Sequence, residues 1–148
     1  MSLPGHVEIV NTRHFPCDRD TLFSAFSDPR QLALWWGPHE FTNRITAFDL
    51  RAGGSWRIVM TSFDGTEFDN RWTFHAVEEP RRILAEHHEP MHVFTLEMLF
   101  EPEDDGARLT WRMSLEDNEQ TREIDRFIAA ANEQNFDRLE ALLNGTAE

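Results

Sequence analysis

The run Glu86-His87-His88-Glu89-Pro90-Met91-His92 gathers three imidazoles and two carboxylates, the side chains that ligate metals and move protons, within seven residues. Zinc needs three or four such ligands converging on one point. The run reads as the end of a strand, where successive side chains point to opposite faces, so His87 and His88 diverge. Glu86, His88 and His92 are left to converge near the turn at Pro90, on the solvent side, and their spacing fits metal-ligand patterns poorly. A solvated turn is expected there, with no metal and no cofactor. His87 differs, because it aligns with Ile83 and Ala85 on the inner face and is the one general acid or base on offer. Cys17 precedes a helix start, a place that lowers a thiol pKa, but no His is placed to serve it and it reads as an ordinary surface thiol. Glu97 falls on an outer face. No nucleophile elbow occurs, and Gly53-Gly54 leads into a strand rather than a helix, so no phosphate loop forms. No catalytic residue is assigned.

The inner faces carry a second group of informative side chains. Asn70 interrupts an apolar row, and Asn135 does the same on a helical stripe. A buried polar side chain without a partner costs about 1–3 kcal/mol, so Asn70, His87 and Asn135 must bond to one another, to the backbone or to a ligand. Trp56, Met60, Trp72, Met98 and Trp111 share their sheet face, and Phe127 and Ala131 share the helical stripe. Core packing is the default for such residues. Each indole N–H nevertheless wants an acceptor, and Trp mixed with Met suits an adaptable apolar pocket. Trp56, Met60, Asn70, Trp72, His87, Met98 and Trp111 are therefore expected to line one space facing Phe127, Ala131 and Asn135.

The elements that must position them follow from periodicity. His6–Phe15 alternates and makes a first strand, stopped by Pro16. Asp18 caps a short helix through Ser27 that buries Leu22, Phe23 and Phe26, and Asp28-Pro29 restarts a helix that ends at Gly37-Pro38. Strand runs on either side of Gly53-Gly54 form a hairpin, with positive φ expected at one of the glycines. Asp64-Gly65 and Asp104-Asp105-Gly106 signal further turns, and six strands fit between Phe41 and Leu115. From about Gln120 to Leu143 the period changes to three and four, the mark of an amphipathic helix of roughly twenty residues, about 30 Å long. Runs of strands beside a long helix give the α+β class.

Composition narrows the function classes. The 148 residues fit one domain, and 40% apolar with 28% charged residues fit a globular chain. Net charge is −13 and every basic residue is Arg, so phosphate backbones and anionic lipid are repelled; neither nucleic acid nor membrane is an expected partner. No apolar run approaches the ~20 residues that span a bilayer, and no signal-peptide pattern opens the chain. Cys17 stands alone, which points to the cytoplasm.

Trp35-Trp36, the run Asp49-Leu50-Arg51-Ala52-Gly53-Gly54-Ser55-Trp56, Met60, Asp64-Gly65, Pro80 with Arg82-Ile83, and Arg108-Leu109-Thr110 occur in that order. Together they resemble the START-like (SRPBCC) superfamily, in the branch named for activators of the heat-shock protein 90 ATPase. The resemblance runs from about Val7 to Leu143, within a single domain spanning 1–148. Ala52 stands where the family usually has Pro, His87 where it usually has an aromatic, and Ala107 where Thr is common. The resemblance implies a helix-grip fold: a curved antiparallel sheet of about seven strands wrapped on a long C-terminal helix, with two short helices after the first strand. It further implies a cavity between sheet and helix that holds a small apolar or aromatic molecule. A binding protein, monomeric or homodimeric, is the first expectation. The alternatives are a chaperone-interacting module, as the branch name implies, and a cyclase- or dehydratase-type enzyme working in the same cavity.

Overall fold

A computed structural model describes residues 6–90 and 92–145. Met91, within the histidine-rich run, lies outside the described residues. Alternation of apolar and polar side chains produces β1 (His6–Phe15), β2 (Thr42–Phe48), β3 (Ser55–Thr61), β4 (Glu67–Glu78), β5 (Arg82–Glu89), β6 (Phe94–Glu103) and β7 (Gly106–Glu116). They form one antiparallel seven-stranded sheet in the order β1-β7-β6-β5-β4-β3-β2. In β7 the buried side of the pleat is Ala107, Leu109, Trp111, Met113 and Leu115. Bulges beside Ala47, Trp72 and Ala76 interrupt the register of β2 and β4, the kind of irregularity that bends a strand.

Two short helices connect β1 to β2. In α1 (Arg19–Ser27) Thr21 N–H donates to Asp18, and in α2 (Pro29–Trp35) Arg30 N–H donates to Asp28, with Pro29 in the first turn. The hairpin β2–β3 turns at Gly53, whose φ is +84°; at Gly54 a Cβ would lie 1.9 Å from the Asp49 carbonyl oxygen.

The last helix, α3 (Glu119–Leu143), opens with a capping box in which the Asn118 side chain accepts from Thr121 N–H and the Thr121 hydroxyl accepts from Asn118 N–H. Its bounds meet the expected Gln120 to Leu143 to within one residue, and its 25 residues span about 37 Å. It lies on the tryptophan-bearing face: the Phe136 ring stands 5.0 Å from Trp111 and 6.2 Å from Phe15. Its buried line is Thr121, Asn132, Asn135, Phe136 and Leu139. Phe127, expected to face inward, is 75% exposed. Nine residues at about 100° each place it half a turn from Phe136, and Phe136 is the ring the core takes.

Candidate ligand cavity

One rung of the sheet supplies Trp72, His87 and Phe94 to the site. Phe48, Trp56, Trp72, His87, Phe94, Leu115 and Val7 stand opposite one another in turn across the strands. The His87 ring stacks on Phe94 at 4.6 Å and meets Trp72 edge-on at 4.9 Å. Over this rung, between sheet and α3, opens a cavity of about 320 Å³. Its deep wall includes Trp36, Trp72, Leu96, Trp111 and Met113; half-buried Pro38, Phe41, Phe68, Pro90 and His92 form its rim. Among the described residues no carboxylate or guanidinium lines it.

Of the residues singled out from sequence, Met60, Asn70, Trp72, His87, Trp111, Ala131 and Asn135 meet at this cavity. Trp56 and Met98 share the inner face but not the space. They border a separate void of about 10 Å³, room for no more than about one water. The divider is Trp36, which follows α2 and packs 5.0 Å from Trp56, 5.9 Å from Trp72 and 5.3 Å from Trp111. The Trp35-Trp36 pair stands out in the sequence, but nothing local to it marks Trp36 as the divider. Asn11 and Asn132 were also missed; Asn11 follows Val7 and Ile9 on the inner side of β1, the same interruption that marked Asn70.

The polar atoms of the wall are mostly spoken for. Asn70 Nδ2 donates to the Phe68 carbonyl at 3.0 Å, which turns Oδ1 toward His87 Nε2 at 2.8 Å. His87 Nδ1 faces the His92 carbonyl at 2.7 Å, so both ring nitrogens look at oxygens and a neutral ring can donate to just one of them. Burial pushes the His87 imidazole below its ordinary value of 6.5; the His92 carbonyl opposes that shift, and positive charge on His88 or His92 adds to it. Asn135 accepts from Gly37 N–H at 2.7 Å and donates to the Ala131 carbonyl at 3.1 Å. The indole N–H groups of Trp72 and Trp111 are buried and have no acceptor among the described residues.

Helix α3 also fixes the rim. Arg138 donates to the carbonyls of Leu34, Trp36, Gly37 and Pro38 at 2.9 to 3.1 Å, a guanidinium set on the carboxyl end of α2. His39 N–H donates to Gln134 at 3.0 Å. Gly37 has φ +94°, and a Cβ there would meet Met60 Cε at 2.7 Å, so the residue after Trp36 must be glycine.

The remaining chemical candidates lie elsewhere. His75 bonds Glu86 at 2.7 Å and His88 bonds Thr73 at 2.8 Å on the opposite sheet face, whereas His92 belongs to the cavity rim. Glu97 accepts from Arg82 at 2.6 Å. Cys17 is half-buried rather than a surface thiol; burial and then the Asp18 charge push it up, opposing nucleophilic use.

Residues 16–144 match the family described as Activator of Hsp90 ATPase homolog 1-like protein. No curated protein matches the chain. Among solved structures, a protein from Arthrobacter aurescens is similar with a TM-score of 0.86 at 22% identity, covering 93% of this chain and 86% of that one. A Mycobacterium smegmatis protein matches with a TM-score of 0.81 at 26% identity over 94% of this chain and 92% of its own. A Nitrosomonas europaea protein matches at 0.80 and 20% identity over 94% and 95%. The chain belongs to the Activator of Hsp90 ATPase homolog 1-like family, in the START-like (SRPBCC) superfamily.

Proposed function

We propose that this family member binds a small, uncharged, largely apolar molecule in the cavity between its sheet and α3. The observation that carries this reading is the composition of the wall: a space of about 320 Å³ surrounded by indole, phenyl and thioether groups, with its polar atoms confined to a few oriented side chains. That size falls at the small end of ligand pockets, which run from about 300 Å³ upward and are mostly apolar. A charged ligand would lose its hydration there with no counter-charge in the wall. The family's START-like fold supports ligand binding in general. Binding is favoured over catalysis because both His87 ring nitrogens face protein oxygens, which stand where a substrate would have to approach to exchange a proton. A chaperone-directed role rests on the family description alone. Cys17 as the lone cysteine fits a reducing compartment, and we place the binding role in the cytoplasm.

Native mass spectrometry of the purified protein is the test, paired with titration of an apolar fluorescent dye. We expect a small-molecule adduct that denaturation releases, and dye uptake that Met60→Trp abolishes while the fold stays intact. A folded protein with no adduct and no dye uptake would end the reading.

A further inference from the structure

Asn132 borders the cavity from α3 and is 5% exposed. Its amide is oriented by a relay that starts on groups able only to accept. Asn11 Nδ2 donates to Glu133 Oε2 at 2.8 Å and to the Ala129 carbonyl at 3.2 Å. That bond set turns Asn11 Oδ1 toward Asn132, whose Nδ2 donates to it at 3.0 Å. A carboxylate and a backbone carbonyl cannot reverse their roles, so neither amide can flip without setting oxygen against oxygen. Asn132 Oδ1 is thereby held on the side away from Asn11. It accepts no hydrogen bond among the described residues and is not one of the polar atoms sealed from solvent. Asn135, by contrast, spends both ends of its amide within the protein, and Asn70 Oδ1 already faces His87 Nε2.

We infer that the cavity's ligand carries a hydrogen-bond donor, a hydroxyl or an N–H on an apolar frame, and that Asn132 Oδ1 reads it. The inference rests on the ligand-binding reading above and adds a specificity to it. A ligand lacking the donor would cover the carbonyl and leave it without a partner, which is the situation that penalises the wrong ligand most. One neutral hydrogen bond of this kind corresponds to roughly a tenfold difference in affinity.

Calorimetric titration with 2-naphthol and with 2-methoxynaphthalene, the same ring with its donor methylated, separates the possibilities. Wild-type protein should bind 2-naphthol about tenfold more tightly than the ether, and Asn132→Leu should remove that preference while keeping affinity for the ether. Equal binding of both by the wild type, or a preference that survives in Asn132→Leu, overturns the role of Asn132 and leaves the cavity reading standing. Binding of neither probe by the folded wild type overturns the cavity reading and this inference together. Asn132→Leu also leaves Asn11 Oδ1 unpaired; should that variant not fold, wild-type NMR decides. The Asn132 carboxamide carbon resonance should move with 2-naphthol and stay put with the ether, and movement with both or neither overturns the inference.

Discussion

His87 concentrates opposing forces in one side chain. Two oxygens at 2.7 and 2.8 Å invite a second ring proton, while burial disfavours the charge and wins. Its neighbours across β4 and β6 are Asn70, Trp72 and Phe94, with no carboxylate; Glu89 on its own strand pulls the other way but weakly. With the folded pKa below 6.5, the unfolded chain takes up a proton that the folded one refuses. The ring's contribution to stability is therefore complete above the ordinary value and is lost as pH falls through it toward the folded value. NMR titration of the His87 ring should give a midpoint under 6.5, and urea unfolding should show a shallower acid-side fall in His87→Gln than in wild type. A ring midpoint at or above the ordinary value would mean that the two oxygens outweigh burial.

The hairpin between β2 and β3 shows an element whose two glycines are needed for different reasons. Gly53 takes a left-handed φ of +84° in open space, whereas Gly54 has ordinary φ but no room for a Cβ beside the Asp49 carbonyl. Gly53→Ala should cost about 1 kcal/mol, the strain of an L-residue in the left-handed region. Gly54→Ala should cost more, because backbone must move, and it should disturb the pairing of Phe48 with Trp56. Thermal unfolding of the two variants checks the order; equal losses would count against a steric role for Gly54. Helix α3 teaches a related lesson. Its caps and length follow from Asn118, Thr121 and the apolar period, but its rotation about its own axis was settled by the sheet, which accepted Phe136 and turned Phe127 to solvent.

At the scale of the molecule, α3 holds three things at once: the core through Phe136, the rim through Asn135 and Arg138, and the edge strand β1 through Arg13, which pairs with Glu133, Asp137 and Glu140. The Arg13 guanidinium also lies 5.5 Å over the Phe136 ring. Phe136 is fully buried between Phe15 and Trp111, so Phe136→Ala should cost about 3–5 kcal/mol by cavity formation. Urea denaturation measures it, and a loss under about 1 kcal/mol would show that the helix is not anchored there.

Local rules carried much of this protein. Alternation in β4 and β7, the Asp18 and Asp28 caps, the turn glycines and the apolar period of α3 each depend on neighbours within a few residues, and each was legible in the chain. So was the inward placement of Met60, Asn70, Trp72, His87 and Trp111, because pleat alone assigns a side chain to a face. Face is not the same as space. Trp56 and Met98 lie on that face yet sit behind Trp36, whose position depends on how α2, Gly37 and Arg138 come together across about a hundred residues of sequence. Asn11 and Asn132 meet at a separation of 121 residues, and the direction of the Asn132 carbonyl follows from Glu133 and the Ala129 backbone. Contacts of that range are selected by the closing of the whole sheet on its helix, and no local period encodes them.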